Sequence, residues 1–294
     1  MMKFAAAAAL LLGLSIPNSV GAKPFERMFP GQRPENREVY QFLRSLDYKQ
    51  GTVRIPEANA TLKISKGFYF LDREDANKVL TQAWGNPSDP ATMGMIFPAK
   101  KTPLDQTWGA EISYDAIGYV SDADATRLDS DELLQTMRED GKAENAERKK
   151  QGYEVIELAG WASPPRYDAH SRKLHWAKEL HFEGVEGNTL NYNIRALGRH
   201  GVLITNFIGD MSMLNSINAA APKVMAMTSF EPGARYSDFN PSADTVAAVG
   251  IGGLIAGKAL SKSGFLLLLL PLLKKFGFLL IIPILWVGRM AFGN

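Results

Sequence analysis

The chain has no cysteine, which excludes disulfide frameworks, thiol nucleophiles, iron–sulfur clusters and cysteine zinc sites. Histidine is scarce, at four residues, and no G-x-S-x-G, H-E-x-x-H, P-loop or dinucleotide fingerprint occurs. No motif positions a catalytic triad, and no cofactor is implied. Acid is missing from both ends: residues 1–22 hold only Lys3 as a charge, and 246–294 hold Lys258, Lys262, Lys274, Lys275 and Arg289 with no carboxylate. All 31 acidic residues therefore lie in 23–245, facing 27 of the 33 bases, so the central region carries −4 and the tail +5. A body with an acid excess lacks the broad positive field that releases counterions from phosphates, which argues against a nucleic-acid partner. A basic, apolar tail suits anionic lipid. What remains is an ordinary globular composition, 46% hydrophobic and 22% charged over 294 residues, sufficient for one or two domains with a proper core.

The two ends read as targeting and membrane segments. Residues 1–22 combine one positive charge, an apolar stretch from Phe4 to Leu14, a breaker at Pro17 and the small residues Val20-Gly21-Ala22, the pattern of a signal peptide cut before Lys23. The alternative is an uncleaved anchor, but the apolar stretch is too short to span a hydrocarbon core of about 30 Å. At the other end, residues 246–264 form a small-residue, membrane-proximal segment and residues 265–288 a transmembrane anchor. Phe265 to Val287 would measure about 34 Å as a helix. Lys274 and Lys275 near its midpoint each cost about 2.5–3.5 kcal/mol, against apolar residues contributing roughly 0.3–0.6 each. One pass is preferred, since a hairpin would have to absorb Lys258 and Lys262 in its first arm.

Between the ends, residues 36–48 read as a short amphipathic helix capped by Asn36. Residues 51–71 read as a hairpin or two short strands, and Asp72 caps a second helix that ends at Gly85-Asn86-Pro87. Extended pieces follow at 93–97 and 107–114, then a polar helix over 130–150 beginning at a Ser130 cap. Segments 153–158, 173–182, 189–197 and 202–208 alternate and predict an antiparallel meander; an Ala- and Met-rich helix spans 212–227.

GYVSDADA (118–125), GWASPPRYD (160–168), KLHWAKEL (173–180), LNYNIRALGRHGVL (190–203) and FEPGARYSDFNPSADTVAAVGIGGLIAG (230–257) resemble the bacterial family of uncharacterised membrane-anchored proteins, domain-of-unknown-function family 2167. The resemblance covers nearly the whole mature chain. It implies an exported, membrane-tethered domain and supplies no activity, substrate or catalytic residue. A fainter analogy, to the PsbP and Mog1 type of α+β sandwich, lies in the order of strands and helix over 190–230. The expected fold is therefore α+β: an antiparallel sheet with helices packed on it over 23–245, plus the carboxyl-terminal anchor.

The densest polar and aromatic stretch is 160–200. His175 and Glu179 lie about 13 Å apart along a strand and cannot share a metal, whereas Glu179 and His181 could, though no third ligand is in view. Asn191, Asn193 and Arg195 alternate onto one face, a set able to bond a carboxylate, a phosphate or an extended peptide; pairing across strands with Glu179 is the bland alternative. Trp161, Tyr167 and Asp168 are expected in a rigid turn. The leading expectation is a periplasm-facing module at the inner membrane, touching the bilayer through 246–294 and binding another envelope protein or a small ligand. The rivals are a membrane-attached enzyme using the 160–200 polar face and a membrane-shaping protein acting through its tail.

Overall fold

The structure is a computed structural model and describes residues 21–85, 90–150, 155–184 and 186–257. The leader over 1–20, residues 258–264 and the anchor expected at 265–288 lie outside the described residues. Among the described residues no helix is long and apolar enough to cross a membrane.

The body is an α+β unit built on a nine-stranded antiparallel sheet. Its strands are β1 (Ala22–Lys23), β2 (Tyr48–Lys49), β5 (Phe68–Asp72), β6 (Gly94–Pro98), β7 (Gly109–Asp115), β8 (Ile156–Asp168), β9 (Lys173–Phe182), β10 (Asn188–Leu197) and β11 (Val202–Asp210). They run in the order β1-β2-β5-β6-β7-β11-β10-β9-β8. A second, three-stranded sheet takes β3 (Gly51–Ile55), β4 (Ala60–Ile64) and β12 (Thr228–Phe230), ordered β12-β4-β3. The expected piece over 51–71 thus splits. Gly51, at φ +94°, turns the chain out of the large sheet into the small one, and the break at Lys66-Gly67 returns it as β5.

Among the described residues six α-helices complete the body: α1 (Phe25–Met28), α2 (Arg37–Arg44), α3 (Arg73–Lys78), α4 (Ser130–Lys150), α5 (Leu214–Met227) and α6 (Ile251–Ala256). The Asn36 side chain accepts from the N–H groups of Glu38 and Val39, and that of Asp72 accepts from Asp75, as caps do. At α4 the capping oxygen belongs to Asp129, which accepts from Asp131 and Glu132, so the expected Ser130 cap is the first helical residue instead.

The large sheet is apolar on one face. The cross-strand row Ala177, Tyr192, Phe207, Ala110, Ile96, Phe70 packs against β3, β4 and α5 in the largest core cluster. The opposite face is divided. At one end α1, α2 and α3 cover Tyr48, Tyr69, Leu71, Met95 and Phe97. At the other, α4 and α6 lie over Leu174, Trp176, Leu197 and Ile204. Between them runs a polar band, because the row Trp176, Asn193, Asn206, Glu111, Met95 passes through three polar positions.

Residues 246–257 belong to this second face. Val246 bridges Tyr119, and the Asp124 carboxylate accepts the N–H groups of Ile251 and Gly252, each at 3.0 Å, at the start of α6. Ile251, Leu254 and Ile255 are buried there. The first part of the segment expected beside the membrane is therefore packed into the body.

Candidate functional site

The alternation of β9 and β10 sorts the sequence candidates onto opposite faces. Ile194 opposes His175 and Leu190 opposes Glu179, so His175, Glu179 and His181 share the apolar face. They form two separate pairs there. The His175 Nδ1 lies 3.2 Å from the Tyr192 hydroxyl, and burial, aided by Arg166, pushes the imidazole pKa down. Asn188 donates to Glu179 at 2.7 Å while its amide oxygen lies 3.1 Å from His181 Nδ1, so an amide stands between the Glu and the His. Among the described residues no three His, Asp or Glu side chains converge for a metal ion.

Trp161 to Asp168 is not a turn. These residues lie in β8, whose pairing with β9 shifts register between Leu158 and Gly160, between Trp161 and Ser163, and between Ser163 and Arg166. Pro164 and Pro165 have no N–H to donate, which an edge strand tolerates. Trp161 and Tyr167 oppose Lys178 and Leu174 on the divided face; Asp168, opposite Lys173, takes the other. Asp168 closes the β8–β9 turn, accepting from His170 N–H and the Ser171 hydroxyl. Tyr167 donates to Asp122 at 2.8 Å, and Trp161 Nε1 donates to the Ser130 carbonyl at 2.9 Å.

On the divided face, Asn191, Asn193 and Arg195 oppose Lys178, Trp176 and Leu174. Glu179 is on the far side of the sheet, so cross-strand pairing with it does not occur. Arg195 is fully buried. Its guanidinium donates to the Ile194 carbonyl at 3.1 Å, to Asn206 Oδ1 at 3.2 Å and to Asn193 Oδ1 at 3.1 Å, and lies over the Trp176 ring at 5.1 Å. Among the described residues every direct partner is a neutral oxygen or a ring. Burial pushes its pKa down to about 10 against the fields of Asp115 and Glu111. Trp176 is equally buried, and its indole N–H has no acceptor among the described residues. Lys178, two residues along β9, is half-buried. Burial and the Arg195 charge bring its pKa down to about 8, opposed by Glu144 on α4. Two cations thus flank an orphaned N–H, a donor set that suits a carboxylate or phosphate.

Sequence reasoning grouped Asn191, Asn193 and Arg195 but missed Trp176 and Lys178, because strand alternation gives faces and not the register between strands. It also missed the anchoring of β8. Asp122 accepts from Tyr167, Arg172 and Tyr236, and Arg172 lies 4.9 Å over the Tyr236 ring. The motifs at 118–125, 160–168 and 230–257 meet at this carboxylate.

Fold and site define an α+β domain with a donor-rich patch on one sheet face. The chain belongs to the family described as "Protein of unknown function (DUF2167)", whose profile matches residues 47–285. No curated protein matches it. Among solved structures, it is similar to cyanobacterial PsbP (CyanoP) from Synechocystis sp. PCC 6803 at 11% identity, covering 61% of this chain and 91% of that one with a TM-score of 0.33. At that level of superposition nothing is carried over from it.

Proposed function

We propose that this chain is an exported binding module at the periplasmic face of the bacterial inner membrane, held to the bilayer through its carboxyl-terminal segment. Its ligand is an anionic group, a carboxylate or phosphate on another envelope protein or a small molecule, taken by Lys178, Trp176 and Arg195. The observation that supports this reading is the set of three donors on neighbouring sheet positions with no acidic side chain bonded to any of them among the described residues. A fold stabilised only for its own sake would gain by replacing an unpaired, half-buried ammonium with an apolar side chain. An anion between the two cations removes their repulsion and gives the Trp176 N–H an acceptor. Lys178 and Asn191, both half-buried, are the members of the patch nearest to solvent.

The test is titration of detergent-solubilised full-length protein with inorganic phosphate and with glutarate, followed by calorimetry and tryptophan fluorescence. A saturable heat that Lys178→Gln abolishes is expected. Failure of both anions to bind, or unchanged binding in K178Q, overturns the assignment.

A further inference from the structure

Trp176 and Arg195 expose 1% and 3% of their surface, so an anion reaches their donors only after something above them moves. Two helices share the apolar cluster that holds Trp176, and they are seated differently. α6 is fixed by Ile251, Leu254 and Ile255, all buried, and is capped by Asp124. α4 contributes Leu133 and Met137, both half-buried, and along its 21 residues none of the described side chains is buried. Buried apolar area sets the cost of lifting an element, so α4 is the easier of the two to move.

Polar contacts along β8 take the place of that burial. The Asn145 side chain exchanges two bonds with Ile156 as a strand residue would, donating to its carbonyl at 2.7 Å and accepting its N–H at 3.0 Å. Arg138 donates to the Leu158 carbonyl at 3.0 Å and to that of Ala159. The two residues are seven positions apart, about two turns, so both lie on one side of α4 and satisfy backbone groups of an edge strand. Gly141 stands between them. A Cβ there would meet nothing within 4 Å, so packing does not call for glycine, and its effect is to soften the helix. One turn further on, Glu144 supplies the field that favours charged Lys178.

We propose that α4 is the movable cover of the Lys178 patch: from Arg138 onward it lifts off β8 by releasing Arg138 and Asn145, and the anion passes beneath it to Trp176 and Arg195. The cover rests on the anion-binding reading of the patch and adds control of entry to it. Opening exchanges the bonds of Arg138 and Asn145 for bonds to water, a nearly balanced trade at an exposed edge. Loosening α4 also frees Met137 from the cluster it shares with Trp176. Once bound, the anion takes over from Glu144 as the negative charge beside Lys178, and the helix closes on it. The same opening precedes entry and exit, so the stability of α4 sets both rates and leaves the affinity unchanged.

Hydrogen exchange and stopped-flow tryptophan fluorescence on detergent-solubilised full-length protein test the cover, with inorganic phosphate and glutarate as probes. Without either anion, the amides of 139–150 should exchange at least about 100-fold faster than those of β9 and β10. Gly141→Ala should slow that exchange about fivefold, the usual effect of replacing a glycine inside a helix, and should slow anion association and dissociation by the same factor at unchanged Kd. Asn145→Ala should speed all three, with unchanged protection of β9 and β10 showing that the sheet stays folded. Exchange in α4 as slow as in β9, or anion rates that neither variant moves, overturns the cover and leaves the patch standing. Failure of the parent to bind either anion overturns the patch reading and the cover with it.

Discussion

The Tyr236 hydroxyl accepts the backbone N–H of Asp122 at 3.2 Å and has two acceptors for its own proton, the carboxylate of that residue and the Val120 carbonyl, each 3.0 Å away. Burial raises the Asp122 carboxyl, but bonds from Tyr167 and Tyr236 and the Arg172 charge outweigh it and hold the group below its ordinary range. The arrangement ties together three stretches more than forty residues apart in sequence. Tyr236→Phe leaves the backbone N–H and one carboxylate oxygen short of a partner. A loss of about 1–3 kcal/mol, read as a lower urea midpoint at unchanged slope, is the expected result.

Acid should unfold the body through its paired carboxylates. Arg199 bonds both oxygens of Asp244 and brings its pKa down to about 2. A carboxyl lowered in the folded state contributes stability that is present above its ordinary value of 3.8 and is lost as pH falls toward 2. Asp244→Asn should therefore be less stable than the parent at pH 6, with the gap closing between about pH 4 and pH 2. A gap that stays constant across that range would contradict the assignment.

Lys178 has the opposite sign. A lysine lowered to about 8 costs stability while it is charged in the folded state, and the cost is relieved as pH rises from 8 toward its ordinary 10.5. Lys178→Met should raise the melting temperature at pH 7 and remove its increase above pH 8. Anion binding at the patch should weaken over the same pH rise, because deprotonation removes the cation that receives the ligand.

At α6 the Asp124 carboxylate caps the first turn. Asp124→Ala strips the acceptor from Ile251 and Gly252, for a loss of about 0.5–2 kcal/mol. Limited proteolysis should then cut near residue 250 sooner than in the parent. Gly118→Ala should disturb the neighbouring bridge between Tyr119 and Val246 more severely, since Gly118 has φ +91° and a Cβ there would stand 2.6 Å from the Thr245 carbonyl oxygen.

Truncations separate anchoring from folding. Full-length protein should stay with membranes through alkaline extraction, and a chain ending at residue 257 should be released yet keep its melting temperature. A chain ending at 245 also loses the buried Ile251, Leu254 and Ile255, and should melt several degrees lower.

Local signals in the sequence located most elements. Asn36 and Asp72 cap helices where side-chain chemistry places them, and the alternation of 173–182, 189–197 and 202–208 matches β9, β10 and β11, because both are decided within a few residues. β8 defeated that reasoning: its Pro-Pro pair and glycine look like a turn, and only pairing with β9 makes them a bulged edge strand. Residues 246–257 look like a membrane approach for the same reason. Their small apolar side chains suit lipid and a protein core alike, and contact with Tyr119 and Asp124, over 120 residues earlier, decides between them. The candidate patch was half legible, since the faces follow from alternation while the neighbour of each residue across the sheet does not.

α6, capped by Asp124, contributes Ile251, Leu254 and Ile255 to the same core cluster as Leu174, Trp176 and Ile204. The last described turn of the chain and the strand that carries Trp176 therefore share one packing unit, so a substitution that unseats α6 also loosens the floor of the polar patch.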